Sequence, residues 1–69
     1  ILILGTPIWL GQISSVAKRV CERMDAFLSE TDEAGRTPAY GRVVIPAIVG
    51  NEDGAHASTA ALLQALNDV

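Results

Sequence analysis

Two short apolar runs, Ile1 to Leu4 and Val43 to Val49, constrain the fold of this chain more than any other feature. Neither run alternates apolar with polar residues, so each suits a strand buried on both faces, as in a parallel sheet. Each is followed by a glycine-containing loop and then by a helical pattern. Gly5-Thr6-Pro7 closes the first run; Pro7 is expected to stop the strand and keep Thr6 extended, which leaves Ile8-Trp9-Leu10-Gly11-Gln12 as a loop. Ser14 or Ser15 can cap the helix that follows. That helix reads to about Leu28 or Ser29, with Val16, Val20, Met24 and Phe27 at helical spacing and Ala17, Cys21 and Leu28 beside them. A polar connection, Ser29 to Tyr40, is punctuated by Gly35 and Pro38. Pro46 interrupts the second run, which predicts either a local bulge or an imide that faces no partner strand. The second loop is Gly50 to His56. The second helix spans Ser58 to Asn67, with Ala61, Leu62, Ala65 and Leu66 on one side.

The resulting order is strand, loop, helix, connection, strand, loop, helix. It predicts an α/β chain with parallel pairing and right-handed crossovers. A doubly wound parallel sheet usually has five or six strands, so these 69 residues read as an incomplete βαβα portion cut from something longer. Composition narrows the function classes. The apolar share is 49%, too high for disorder, yet no stretch approaches the ~20 apolar residues of a membrane span. Five scattered Lys and Arg in a chain of net charge −3 make no nucleic-acid footprint. A single cysteine excludes a disulfide framework; Cys21 is expected to be a small buried hydrophobe. The start, Ile1-Leu2-Ile3-Leu4, has no basic flank and no small-residue cleavage site, so no signal peptide is expected, and the chain is expected to be cytoplasmic.

In open α/β sheets, ligands bind beyond the carboxyl ends of the strands. Loops that begin on neighbouring strands start about 5 Å apart, or about 10 Å with one strand between them, so both loops here would share a rim. In the first, Trp9 lies between Ile8 and Leu10 and needs a flat or apolar cover; it can wall a planar ligand, or pack on its own helix or on a neighbouring element outside these residues. In the second, Gly50 and Gly54 bracket Asn51, Glu52 and Asp53. The glycines allow backbone amides to approach a ligand, beside a helix N-terminus; the same residues also suit a tight turn with Asp53 or Asn51 as the cap. His56 is either a structural or solvated histidine or a hydrogen-bond donor to a ligand. Glu52, Asp53 and His56 match no metal-ligand spacing, so no metal is expected. No dinucleotide fingerprint, Walker loop or nucleophile elbow is present, and no catalytic side chain is assigned.

Taken together, Gly5-Thr6-Pro7-Ile8-Trp9-Leu10-Gly11 with Ser14-Ser15-Val16-Ala17-Lys18 resembles the third strand, loop and helix of flavodoxin-like proteins, in particular the NADPH-dependent FMN reductase family and its quinone-reductase relatives. Asn51 to His56 resembles the next loop of one branch of that family. The resemblance covers nearly the whole chain. It implies a flavodoxin-like doubly wound sheet, of which residues 1–69 are a partial FMN-binding domain. The phosphate loop would lie upstream of Ile1 and the last strand beyond Val69. It further implies FMN held by Thr6, Pro7, Ile8, Trp9, Leu10 and Gly11 on one side and by Asn51, Glu52, Asp53, Gly54 and His56 on the other. NADPH or NADH would be the reductant, with hydride passing through flavin N5 to a small-molecule electron acceptor. The hard chemistry would be the cofactor's. A homo-oligomer is compatible with this reading. The alternatives are a flavodoxin-type electron carrier that turns over no nicotinamide, and a doubly wound domain binding another phosphorylated ligand.

Overall fold

A computed structural model describes residues 1–69. Three strands form one sheet in the order β2-β1-β3: β1 is Leu2–Trp9, β2 is Gln12–Ile13 and β3 is Val44–Val49. The first and last runs pair in parallel, with register Leu2↔Val44 through Pro7↔Val49. The expected parallel α/β unit is therefore present. The antiparallel hairpin of β1 with β2, Ile8↔Ile13 and Trp9↔Gln12, was not expected from the sequence.

Pro7 does not stop the first strand; β1 continues through it to Trp9. The reason lies in the ladder. The Leu2 amide donates to the Val43 carbonyl at 2.8 Å, so even-numbered residues of β1 point their N–H groups toward β3 and odd-numbered ones away. Pro7 is odd, and its missing donor costs no bond to β3. The β2 ladder ends one step short of it, and the Ser14 amide donates instead to Thr6 Oγ1 at 3.0 Å. The same parity settles Pro46. It sits in unbroken register opposite Leu4, so there is no bulge, and its imide lies on the outer edge of β3 where proline is tolerated.

The first α-helix, α1, is Ser15–Met24, and a 3₁₀ segment, Asp25–Ser29, completes the stretch read from the sequence as one helix. Ser14 is its cap: its hydroxyl accepts from the Ala17 amide at 3.1 Å. The buried stripe is rotated from the one expected. Ala17 and Met24 are buried, with Cys21 and Phe27 half-buried beside them, while Val16 is 71% exposed and Val20 is also exposed. Cys21 packs at the margin of the core rather than deep within it. The second helix, α2, is Ala55–Asp68 and begins three residues earlier than the pattern suggested. Gly54 caps it without any side-chain bond, so neither Asp53 nor Asn51 takes that role; the Asp53 carboxylate accepts from the Gly54 amide at 2.9 Å.

Both helices pack on one face of the sheet. Met24, Leu62 and Leu66 form the core there, with Leu4, Val44 and Ile48 beneath them. The other face is uncovered, contrary to the expectation of strands buried on both sides. Ile3 pairs with Ile45, Gly5 with Ala47 and Pro7 with Val49. Paired residues in a parallel sheet share a face, so these six and Trp9 line one continuous apolar surface on which Ile3 is 64% exposed.

Candidate functional site

The carboxyl ends of β1 and β3 are immediate neighbours, since Pro7 pairs with Val49. Their loops therefore start about 4.8 Å apart, the closer of the two spacings expected from the sequence. The first loop is a tight hairpin turn. Leu10 and Gly11 occupy its two central positions with φ of 52° and 78°, the mirror-image geometry that the twist of a two-residue hairpin favours. Glycine adopts it freely, but leucine does so at a cost of roughly 1–2 kcal/mol. Leu10 is 94% exposed, so packing of its own side chain does not compensate.

Two contacts bind this turn to the second loop. The Glu52 carboxylate accepts the Leu10 amide, Oε1 to N 3.0 Å, across forty-two residues of sequence. At Gly54, with φ of 139°, a Cβ would lie 2.6 Å from the Gly11 Cα and 2.8 Å from Ile8 Cγ2. Gly54 is buried, and only a residue without a side chain allows the loops to touch there. At Gly50 a Cβ would meet that of Ile8 at 2.9 Å. The two loops thus pack as one body around the buried Ile8.

The residues singled out from the sequence separate into two groups. Thr6 and Ile8 are buried beneath the rim. The Thr6 hydroxyl accepts the Ser14 amide and donates to the Pro7 carbonyl at 2.9 Å, tying β1 to the start of α1. Trp9, Leu10, Asn51, Glu52, Asp53 and His56 are exposed around the rim, with Pro7 on the open sheet face and Gly11 partly covered. Trp9, at 63% exposure, belongs to the uncovered sheet face and does not pack on α1. The Asn51 and His56 side chains make no hydrogen bonds. No group of three or more His, Cys, Asp or Glu could hold a metal ion.

The α2 N-terminus opens onto the same rim. With no side-chain cap, the first-turn amides of Ala55, His56 and Ala57 have no intrahelical acceptor and no capping oxygen. They supply donors and partial positive charge. The Gly54 amide is taken by Asp53. Behind this turn, Ser58 is 1% exposed and its hydroxyl has no partner. The rim therefore carries two exposed apolar side chains, Trp9 and Leu10, on the first loop and a row of unpaired backbone donors at the start of α2. The Glu52 link and the buried Ser58 had no signal in the sequence, because neither follows from local spacing. An open cleft of about 810 Å³ lies at the opposite end of the strands among Leu2, Met24, Phe27, Tyr40, Val44 and Leu66.

No protein-family model and no solved structure matches the chain. Among curated proteins, 54 residues are 54% identical to the divalent metal cation transporter MntH of Mycobacterium bovis, covering 78% of this chain and 8% of that protein. Another 34% identity over 56 residues links it to 8-demethyl-8-aminoriboflavin-5′-phosphate synthase of Streptomyces davaonensis, covering 81% of this chain and 22% of that enzyme. The chain thus spans less than a quarter of the length of either relative. None of its helices is long and apolar enough to cross a membrane.

Proposed function

We propose that this chain is part of a flavodoxin-like FMN-dependent oxidoreductase, in which residues 6–11 and 50–56 form the rim around the flavin ring. The observation that carries the reading is the union of the two loops at adjacent strand ends, bound by Glu52 to Leu10 and by Gly54 against Gly11. Ligands of open α/β sheets bind at such strand ends. The donor set fits a flavin: Trp9 offers a flat apolar surface, and the uncapped amides of Ala55, His56 and Ala57 suit the polar edge of the ring. The identity to an enzyme whose product is a riboflavin 5′-phosphate derivative by name supports the same ligand class. The higher identity to MntH involves 8% of that transporter and adds no ligand group to this rim.

Bound FMN would supply the two-electron chemistry, accepting hydride from NADPH or NADH and passing reducing equivalents to a small acceptor. The chain's own residues orient the ring and set its surroundings. Trp9 and Leu10 keep one side apolar, and the α2 amides favour negative charge at the polar edge. The test uses the full protein. It is expected to bind FMN saturably, to be yellow when loaded, and to oxidise NADPH or NADH without a partner reductase. Flavin binding without nicotinamide turnover would convert the reading to an electron carrier, and absence of flavin binding would remove it.

A further inference from the structure

We infer that Glu52 is a positioning residue whose carboxylate holds the strained Trp9–Leu10–Gly11 turn in place against the second loop. What the turn is positioned toward rests on the flavin reading above; the hold itself rests on geometry.

Leu10 sits at φ 52° with its side chain in solvent. A leucine in this conformation persists only where surrounding contacts over-determine it. The ladder to β3 ends at Pro7↔Val49 and the hairpin ladder at Trp9↔Gln12, so neither reaches the Leu10 amide. That amide donates to Glu52 Oε1. The bond, 3.0 Å long, joins residues forty-two apart in sequence, so it ties one loop to the other rather than the turn to itself. The neighbouring side chains are otherwise disposed: Asp53 accepts the Gly54 amide of its own loop, and Asn51 makes no bond. Glu52 is thus the side chain that spans from the second loop to the turn. The Gln12 ladder holds Trp9, and the Glu52 bond holds Leu10, the next residue of the same wall.

The role needs an acceptor oxygen and no charge, so glutamine should replace glutamate and alanine should not. In the full protein, backbone amide exchange at Leu10 reports the hold without any ligand, and an FMN titration reports its consequence. Glu52→Ala is expected to speed exchange at Leu10 about five- to tenfold and to weaken FMN binding by a similar factor, with Glu52→Gln within about twofold of wild type in both. Leu10→Gly removes the backbone strain, so on that background Glu52→Ala should have a smaller effect. Exchange unchanged in Glu52→Ala would overturn the hold. A glutamine variant that behaves like alanine would overturn it too, because the carboxylate would then act by its charge. If the wild-type protein binds no FMN, the flavin reading fails, and the exchange comparison still decides the hold on its own.

Discussion

A Cβ on Gly54 would stand 2.6 Å from the Cα of Gly11, so these two glycines bring the loops after β1 and β3 into backbone contact. They are not equivalent. At Gly11 the nearest atom to an added Cβ is the Asp53 carbonyl oxygen at 3.9 Å, an ordinary distance. Gly54→Ala is expected to destabilise the protein by about 2–3 kcal/mol through overpacking against main chain that cannot yield. Gly11→Ala should cost about 1 kcal/mol, from its positive φ alone. Asparagine should not rescue position 54, because φ 139° lies outside the left-handed well that asparagine tolerates. Denaturant unfolding of the three variants measures this; equal losses at 11 and 54 would contradict the contact.

Trp9 separates binding from stability. It is exposed on the open sheet face, so Trp9→Ala should change folding stability by less than about 0.5 kcal/mol. It should weaken FMN binding by about 0.5–1.5 kcal/mol beyond the lost area, the scale of an aromatic pair. FMN should also quench Trp9 emission, and removing the cofactor should restore it. Emission unchanged between the two forms would detach Trp9 from the ligand.

Asp32 organises the connection between the two halves. Its carboxylate accepts the Arg36 and Ala34 amides at 3.0 and 2.9 Å and pairs with the Arg36 guanidinium. The Arg36 amide bond is the main cause that holds its pKa below the ordinary 3.8, with desolvation opposing it and the Ala34 amide and Arg36 guanidinium adding to it. A carboxyl group lowered by folding adds stability above its unfolded pKa and loses it as pH falls through the lower folded value. The turn should therefore be intact at neutral pH and open only in acid. The Ala34 and Arg36 amide resonances should titrate with a midpoint below 3.8; a midpoint at or above that value would contradict the contacts.

The imide of Pro46 lies on the side of β3 away from β1, so Pro46→Val should leave the β1–β3 pairing intact. Retained folded structure in the variant, followed by circular dichroism and denaturant unfolding, is the expected result. Loss of the folded structure would contradict the register of Pro46 opposite Leu4.

The α/β order and the parallel pairing of the two apolar runs were legible in the sequence, because unbroken apolar runs followed by amphipathic helices have few other solutions. Ser14 was legible as a cap for the same local reason. The extent of β1 was not: Pro7 reads as a terminator unless the parity of its missing N–H is known, and parity follows from the register with Val44–Val49. The hairpin at Leu10-Gly11 was hidden because leucine at a positive φ runs against turn statistics. The early start of α2 at Ala55 was hidden because Gly54 caps it with no side chain. The rim loops were recognisable as a pair, but their bond through Glu52 joins residues far apart in sequence and leaves no periodic trace.

The central claim is that the two loops form one flavin rim, and amide chemical-shift mapping during an FMN titration of the full protein tests it most directly. The account predicts that amides of Trp9, Leu10 and Gly11 and those of Ala55, His56 and Ala57 shift together, with one saturation curve. Shifts confined to one loop, or found instead around the cleft of Phe27, Tyr40 and Leu66 at the opposite end of the strands, would contradict it.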